Sequence, residues 1–532
     1  MSAKTKLFVR EATGLTRALS GWDALIGNIM SMGIAFVFVY AYFASLLYPG
    51  VNLPLTVGVA LLPGIVFSIV YYLFTVAMPR TGGDYVWVSR IVHPAVGYLG
   101  NFFITFTLFT IVGTVAAWVP IYGLGPLFVG LGLIRGGNSE YLTLAFKLSS
   151  PPFSFAIAAV LVVLFVVPLF FSLKSTYRLL WVLFVITAIG TLVMVAAYFS
   201  SSQGAFASNF NSLTNMNYAK TISIAGLPSG FTVQMTLTGS VFTILNFIGF
   251  NFSAYYTGEV KEVKRGQIIA MIGSLFLFAL FMALVYTSAY HAAGSDFLNA
   301  ASYLFATGNG NYTLPAPPVL NLLVTFASPT PLVILATGIG FIAACVAEIT
   351  VLSFVGGRNF FAWSFDRLMP SWLVRLDSKR GSPYIISIAT MILGIIFAWL
   401  YIYTIFFQFL AYAVVNALIT FGITSVAAII FPFKAKNIFD TSPPVVRRKI
   451  GKIPVISLLG IAGVILASYL SYATLQPAVT PPPSSVPLIN LLAYVFIPLT
   501  GAIALVIYTV AYYYRKSRGI DIGLVFREIP PE

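Results

Sequence analysis

The sequence predicts an all-α integral membrane protein with twelve transmembrane helices. Of its 532 residues, 59% are hydrophobic and only 8% are charged, whereas a soluble domain carries roughly 25% charged residues. The apolar residues form twelve runs of about 20 residues or more, which is the length that crosses the hydrocarbon core of a bilayer. The third run is the longest, and Pro120 and Pro126 are expected to mark the end of its helix. The predicted spans are 22–46, 55–78, 96–130, 153–173, 177–199, 233–257, 267–290, 331–356, 383–402, 404–431, 454–475 and 488–514.

The basic residues support this number of spans and predict their orientation. Lysine and arginine accumulate in the cytoplasmic loops of membrane proteins. If the chain begins in the cytoplasm, twelve spans place all but three of the 29 basic residues on that side, and the exceptions are Arg135, Lys147 and Lys220. We therefore expect a multi-pass protein of the cell membrane with a cytoplasmic N-terminus, 1–21, and a cytoplasmic tail, 515–532.

Composition also excludes several classes of protein. The formal net charge is +15, but the basic residues lie at the ends of apolar runs and form no stripe for nucleic acid. Cys345 is the only cysteine, which excludes a disulfide framework and a cysteine metal site. We predict no cofactor and no metal site, and the absence of a P-loop motif argues against direct drive by ATP.

The loops on the predicted outer side are 200–232, 291–330 and 476–487, and they are rich in small and polar residues. None of them has enough apolar residues to bury a core of its own. We therefore expect solvated connectors and no soluble catalytic domain. Any function must then be carried out between the transmembrane helices.

An interruption in the sixth span is the main indication of a binding site. Gly249 lies between aromatic residues at about half the depth of the span, with Asn246 and Asn251 close by. Hydrocarbon offers no partner to a loosened backbone group or to a carboxamide. This part of the span is therefore expected to face protein or a water-filled cavity.

The first span contains a second interruption, between Gly27 and Gly33. On its own this pattern favours simple helix packing, which is the common use of small residues in membrane helices. Its position favours a site instead. If 22–199 and 233–431 are two halves of five spans each, followed by 454–514, then the first helix of each half is interrupted. Paired broken helices in corresponding positions indicate an inverted-repeat transporter with its site at the bilayer midplane.

Several segments resemble motifs of the amino acid–polyamine–organocation (APC) transporters. The segment 79–85, PRTGGDY, resembles the P-x-x-G-G-x-Y loop after the second helix of that family. The segment 247–265 resembles the sixth helix with its G-E-V-K-N-P-x-R end, and 358–370 resembles the loop after the eighth helix. Residues 31–34 match the G-S-G-I-F of the first helix in part. Together the segments cover roughly residues 15–430 in the family's order.

The resemblance implies the leucine-transporter-like fold, with two inverted halves of five helices, two further helices, and breaks in helices 1 and 6. It also implies alternating access and a bound amino acid or related amine. Free amides at the first break would attract a carboxylate, and unpaired carbonyls at the second would accept an ammonium group. Asn251 stands where family members often carry an acidic residue, which argues against a polycation. The predicted substrate-binding residues are Asn28, Ser31, Met32, Gly33, Leu245, Asn246, Phe247, Ile248, Gly249, Phe250 and Asn251.

Four charged residues near span ends are candidates for gates or for contacts between loops on the cytoplasmic side. They are Asp84, Glu259, Arg358 and Asp366. Solvated charge is normal at helix ends, so a surface role and a gating role both stay open.

Glu348 is the carboxyl-bearing residue that we place deep within a span, and it is the candidate coupling residue. Counting back from Arg358 along the family pattern puts it near positions at which sodium-coupled relatives bind the ion. The fifth span, 177–199, lacks the lysine that replaces the ion in some proton-linked members. Because burial disfavours an ionised carboxyl group, we expect coupling to protons, with sodium as the alternative. A structural acid bonded to a neighbouring helix is the non-functional interpretation.

The function predicted from the sequence is a permease, a secondary transporter without enzymatic activity. An exchanger or a sodium symporter of the same fold is the alternative, and a channel or a membrane-embedded enzyme is the alternative from another class. An intramembrane enzyme needs clustered polar side chains within the spans, whereas His93 and His291 lie at span ends. A channel would carry substrate at a rate that does not depend on a counter-substrate or an ion gradient.

Overall fold

The computed structural model describes residues 17–374, 384–404, 410–475 and 486–519, together with Gly523 and Phe526. Most of the predicted N-terminal segment 1–21, most of the tail 515–532 and the predicted loop 476–487, except its last two residues, lie outside the described residues.

Twelve helices of the described chain are long and apolar enough to cross a membrane, which confirms the predicted number and the all-α class. The division of the first ten into inverted halves, 22–199 and 233–431, stays a prediction. The spans are Gly21–Leu47, Leu53–Ala77, Pro94–Leu133, Pro151–Phe170, Leu173–Ser200, Val233–Glu259, Val263–Ala293, Pro331–Phe365, Tyr384–Tyr403, Tyr412–Lys434, Val455–Leu475 and Tyr494–Ser517.

Several spans are built from more than one helix. Short 3-10 or π-helical segments occur within the spans at Val119–Leu124, Val167–Phe170, Phe252–Glu259 and Ile268–Gly273, and a further 3-10 segment, Ser371–Val374, lies between the eighth and ninth spans. The α-helices are α1 (Gly21–Met32), α2 (Ile34–Leu47), α3 (Leu53–Ala77), α4 (Asp84–Ile91), α5 (Pro94–Trp118), α6 (Gly125–Leu133), α7 (Ser139–Ser149), α8 (Pro151–Val166), α9 (Leu173–Ser200), α10 (Gln203–Leu213), α11 (Tyr218–Ala225), α12 (Val233–Phe247), α13 (Val263–Gln267), α14 (Ser274–Ala293), α15 (Ser295–Ala306), α16 (Leu320–Ala327), α17 (Pro331–Phe365), α18 (Tyr384–Tyr403), α19 (Leu410–Lys434), α20 (Lys436–Thr441), α21 (Val455–Leu475) and α22 (Val486–Ser517). A hairpin of two short strands, β1 (Lys449–Ile450) and β2 (Ile453–Pro454), precedes α21.

The ends of the spans define two faces of the bundle. We call the face at which the first span begins the N-terminal face, and the other the opposite face. The first span is the most enclosed. In its most apolar stretch of 18 residues 94% of the residues are buried inside the protein, whereas in the twelfth span the share is 11%. The first span therefore lies at the centre of the bundle, where its interruption is shielded from lipid.

The third span does not end at Pro120 or Pro126 as the sequence predicts. It continues from Pro94 to Leu133 through a π-helical stretch, Val119–Leu124. Each proline lies in the first turn of a segment, Pro120 in the π-helical stretch and Pro126 in α6. The span passes both prolines because the regular α-helical hydrogen-bond pattern is already interrupted in the π-helical stretch, where the Gly125 N–H group bonds to the Pro120 carbonyl.

The eighth span also extends beyond its predicted end at residue 356. Its helix α17 runs from Pro331 to Phe365, so Arg358 lies within a helix and not in the loop that we expect after it. The apolar run ends where polar residues begin, but Arg358 and Asn359 are buried against protein. Hydropathy therefore underestimates the length of a helix when its last turns contain polar residues that pack against other helices.

The fifth and eighth spans approach each other through glycines. A Cβ atom on Gly340 of α17 would lie 2.9 Å from the Cα of Gly190 of α9. Only hydrogen side chains allow the two backbones this separation. The contact fixes the helix that carries Glu348 against the bundle.

The long loops 200–232 and 291–330 are not the solvated connectors that we expect. They form α10, α11, α15 and α16, which pack together on the opposite face of the bundle. The Phe210 ring centroid lies 4.9 Å from that of Phe297 and 5.0 Å from that of Phe326, and all three rings are fully buried. Each loop taken alone is too polar for a core, but one or two aromatic residues per helix form a shared core.

Candidate functional site

The first span is interrupted at Gly33. This residue has φ of +71°, a left-handed conformation that ends α1 and precedes α2. The first N–H groups of α2 lack intrahelical partners, and no side chain caps them. The hydroxyl of Ser31 donates a hydrogen bond to the Gly27 carbonyl (2.7 Å) and so stays within its own helix.

The sixth span is interrupted between α12, which ends at Phe247, and a 3-10 helix that begins at Phe252. Gly249 in this segment has φ of +131°. A Cβ atom on Gly249 would lie 2.7 Å from the backbone nitrogen of Met32 and 2.7 Å from the carbonyl carbon of Ser31. The two interruptions are therefore in direct backbone contact.

Asn28 ties three spans together around this contact. Its side-chain amide donates hydrogen bonds to the carbonyls of Phe250 and Ala270 (2.9 Å), and its carbonyl oxygen accepts one from the backbone N–H of Ser253 (2.8 Å). Ala270 lies in the π-helical part of the seventh span. Asn28 thus compensates carbonyls at two irregular segments, while its predicted contact with substrate stays a prediction.

Glu348 packs against the interruption of the first span. A Cβ atom on Gly33 would lie 2.7 Å from Oε2 and 2.9 Å from Oε1 of Glu348, which places the carboxyl group beside the beginning of α2. The side chain is buried, and within the described part of the chain Oε2 has no hydrogen-bond partner. The two ion pairs found among the described residues do not include Glu348. Its carboxyl group therefore faces the breaks without a neutralising cation.

Two amides flank the interruption of the sixth span. Asn246 and Asn251 are buried, and no described protein group forms a hydrogen bond with either side chain. Buried carboxamides normally have partners, so four unsatisfied polar atoms close to Gly249 suggest that a ligand completes them. All predicted substrate-binding residues are buried in one region around the two breaks: Asn28, Ser31, Met32, Gly33, Leu245, Asn246, Phe247, Ile248, Gly249, Phe250 and Asn251.

Asp84 is the centre of a buried network on the N-terminal face. Its carboxyl group accepts hydrogen bonds from Tyr71 (2.8 Å), Asn101 (2.8 Å) and Tyr255. The Trp363 indole donates to Asn101 (2.9 Å), which extends the network to the eighth span. Burial raises the pKa of Asp84 to about 6, and the three hydrogen bonds offset this only in part.

The other three candidate gating residues, Glu259, Arg358 and Asp366, are also buried and paired, which argues against the surface role that the sequence left open. Arg358 donates from Nε to Glu259 Oε1 (2.7 Å), linking the eighth and sixth spans. Arg90 holds Asp366 through both guanidinium nitrogens, at 2.7 and 2.8 Å. Their predicted gating role stays a prediction.

The partners of these residues carry no signal in the sequence. Tyr71, Asn101 and Tyr255 contribute to the Asp84 network, but no motif distinguishes them from the many polar and aromatic residues of neighbouring spans. Arg90 lies six residues after Asp84, and the sequence uses it only as one of the basic residues that predict the orientation of the spans. Their burial is set by contacts between distant spans, which composition does not reveal.

An aromatic cluster lies on the other side of the breaks, toward the opposite face. The Trp118 ring centroid is 4.5 Å from that of Phe36 and 6.0 Å from that of Tyr40, and its indole N–H donates to the Tyr401 hydroxyl (2.7 Å). Phe242 of the sixth span packs on Tyr40 at 5.3 Å. The cluster joins both broken spans to the third and ninth spans.

Comparison with known proteins supports the relationship suggested by the motifs. Residues 20–512 match a family model described as amino acid permease, which extends through almost the whole of the twelfth span. No curated protein matches the sequence closely enough to serve as a relative. Across the described ranges, no three His, Cys, Asp or Glu residues form a group that would hold a metal ion.

We predict that Gly249→Ala reduces amino acid uptake by more than about tenfold, because a left-handed residue with a side chain costs on the order of 1–3 kcal/mol and the new Cβ also meets backbone that cannot rotate away. Gly33→Ala should act similarly through Phe36 and Glu348. Uptake of labelled amino acids into proteoliposomes measures the effect, with elution from a size-exclusion column as the test of folding.

Two matched variants serve as controls for these substitutions. Gly226→Ala places a side chain at a residue with φ of +60°, where the new Cβ atom would meet no atom within 4 Å. Gly58→Ala adds a side chain within the second span, where the Cβ atom would also meet no atom within 4 Å. Both should retain uptake. A folded Gly249→Ala variant with normal uptake would show that the backbone contact has no functional role.

Proposed function

Because the chain belongs to the amino acid permease family of the APC superfamily, we propose that it is a secondary active transporter that moves an amino acid or a related amine by alternating access, driven by protons. The observation that carries this proposal is the backbone contact between the two interrupted spans, beside which lies the buried carboxyl group of Glu348 with its Oε2 atom unpartnered in the described chain. In a transporter of this kind, occupancy of the substrate site must be coupled to protonation of the proton site.

In the proposed orientation, the protein lies in the cell membrane with its N-terminal face on the cytoplasmic side. This face is the one on which lysine and arginine concentrate in the sequence. The Asp84 network and the two buried ion pairs then close the cytoplasmic side. The aromatic cluster around Trp118 closes the outer side.

The proposed substrate site lies along the two breaks. The uncapped beginning of α2 supplies N–H groups for the carboxylate of an amino acid, and the backbone carbonyls of the non-helical segment after Phe247 accept its ammonium group. Asn246 and Asn251 lie next to this segment with unsatisfied amides. They are suited to contact the remainder of the substrate.

Glu348 is the proposed proton carrier. A buried carboxyl group without a cation is costly to ionise, so its protonation depends on what else occupies the site. Its contact with Gly33 places it where movement of α2 or arrival of substrate changes its surroundings. Sodium coupling at the same carboxyl group is the alternative, and imposing each gradient separately distinguishes the two ions.

Opening toward the cytoplasm requires the inner part of the sixth span to leave the Asp84 network. Tyr255 and Glu259 both lie on that part and bond to Asp84 and Arg358 respectively. The segment before α1 also pairs with it, because Leu19 N–H donates to the Glu259 carbonyl (2.9 Å). The first and sixth spans are thereby joined on this side and are expected to move together.

We predict that Glu348→Gln abolishes proton-driven accumulation but retains exchange of substrate across the membrane. Glutamine resembles the protonated carboxyl group in shape but cannot release a proton. Accumulation and exchange are measured in proteoliposomes with and without an imposed pH gradient. The matched control is Glu140→Gln, the same change at an exposed position. Accumulation with unaltered pH dependence in Glu348→Gln would rule out this residue as the proton carrier.

We predict that Asn251→Ala changes the relative uptake of different amino acids more than it changes the amount of folded protein. Removing a buried amide that pairs with substrate leaves the partner group of a polar substrate unsatisfied, at a cost of about 1–3 kcal/mol. Competition by a panel of unlabelled amino acids measures selectivity. Asn437→Ala, at an exposed position, should leave the panel unchanged, and so should Asn251→Ala if the residue lies outside the site.

We predict that exchange in a Glu348→Gln background slows as cytoplasmic pH falls from about 6 toward 4. In the closed state burial raises the pKa of Asp84 to about 6, whereas a solvated aspartate has a pKa of about 4. The closed state therefore binds a proton more tightly and gains stability as the pH falls through this window.

Asp84→Asn should remove this pH dependence, because the amide does not titrate. Asp440→Asn, at an exposed position on the same face, should retain it. An identical pH profile in Asp84→Asn and its parent would show that opening does not expose Asp84.

A further inference from the structure

The carboxyl group of Glu348 occupies the position at which an amino acid would present its own carboxylate. It contacts Gly33, the residue immediately before the 14-residue helix α2, and no side chain caps that helix. The beginning of a helix carries partial positive charge and free N–H groups that favour one anion. The unpartnered Oε2 atom of Glu348, on a side chain 1% exposed, lies directly beside it.

Among the residues that the structure describes, no positively charged side chain is paired with Glu348. The titratable side chains close enough to interact with it are Tyr40 on α2 and Cys345 on its own helix. Further along that helix, Arg358 and Asp366 are engaged with Glu259 and Arg90.

The helices that pack on α17 also bring no cation to this depth. The basic residues of the fifth span, Lys174 and Arg178, lie in its first two turns at the N-terminal face. In the first span Asp23 lies at the same face and accepts a hydrogen bond from Trp181 (2.9 Å). The third and fourth spans, Pro94–Leu133 and Pro151–Phe170, contain no charged residue. Among the described residues, the partial positive charge at the beginning of α2 is thus the compensation available to the Glu348 carboxyl group.

Two carboxylates at the same helix beginning would repel each other in a site that excludes water. An amino acid can therefore bind only when Glu348 is protonated, and the loaded site is then neutral. When Glu348 is ionised, a zwitterionic amino acid would leave the site with one net negative charge, whereas an amine with a single positive charge makes the site neutral. Electroneutral loading is favoured because an uncompensated charge in a low-dielectric interior is costly.

We propose that Glu348 selects substrates by charge, so that the protonated site takes amino acids and the ionised site takes primary amines that lack a carboxylate. This inference rests on the proposed function, since it uses the same substrate site. An amino acid is then carried together with one proton. The ammonium group of an amine instead pairs with the Glu348 carboxylate and is carried without a proton.

Matched pairs of an amino acid and its decarboxylated amine test the proposal. Leucine with isoamylamine and phenylalanine with phenethylamine differ in the carboxylate, and each amine carries a single positive charge. All four are assayed as labelled substrates in proteoliposomes with the same pH on both sides. Between pH 5.5 and 8 the half-saturating concentration of the amino acid should rise, by up to about tenfold per pH unit. That of the amine should fall. A pH-sensitive dye inside the vesicles should report acidification during uptake of the amino acid and none during uptake of the amine.

Glu348→Gln should remove both pH trends, keep binding of the amino acid and weaken that of the amine by more than about tenfold. Glu348→Asp, which keeps the charge on a shorter side chain, should keep both opposite trends. Glu140→Gln, at an exposed position, should behave as the parent protein. Size-exclusion elution confirms that each variant is folded.

Specific outcomes overturn the inference. Parallel pH trends for amino acid and amine, or full amine binding by Glu348→Gln, would show that Glu348 does not select by charge. Proton-linked uptake of amino acids with rejection of both amines at every pH would overturn the charge selection alone. If the parent protein carries no amino acid in a broad panel, the proposed function fails, and the charge selection fails with it.

Discussion

The backbone contact between Gly249 and the segment Ser31–Met32 is the constraint on which the rest of the site depends. No side chain fits between the two breaks, so the free backbone groups of both spans lie at the same place in the bundle. Asn28 stabilises this arrangement by bonding to carbonyls of the sixth and seventh spans. A regular helix satisfies its own backbone groups in a membrane, and a broken one needs the protein interior to do so. The burial of the first span provides that interior.

Three side chains around this contact have buried polar atoms without hydrogen-bond partners in the described chain. Asn246, Asn251 and Glu348 all have side-chain atoms without partners among the described residues. Buried polar groups of this kind cost stability unless a ligand or water completes them. The networks on either side are, by contrast, well bonded, with Asp84 accepting three hydrogen bonds.

The sequence predicts the fold well because hydropathy reports the lipid-facing surface directly. It is less accurate where helices turn away from lipid, as at the end of α17 after residue 356 and in the third span beyond Pro120. Both breaks could be located because glycines interrupt the first helix of each predicted half, although a glycine in an apolar run more commonly serves helix packing. The role of Asn28 as a tie between spans and the partners of Asp84 could not be predicted, because they depend on how separate helices pack against one another. Asn28 bonds to Ala270, and Asp84 bonds to Tyr255 as well as to the nearer Tyr71 and Asn101. The shared aromatic core of α10, α11, α15 and α16 escaped prediction because each loop was considered by itself.

A structure of the protein in lipid nanodiscs, determined by electron cryomicroscopy with a saturating transported amino acid, tests the central claim most directly. The account predicts substrate density between residues 31–34 and 248–251, with its carboxylate at the beginning of α2 and within reach of Glu348. Substrate density elsewhere in the bundle, with Gly249 still packed on Ser31 and Met32 and no ligand beside them, would contradict it.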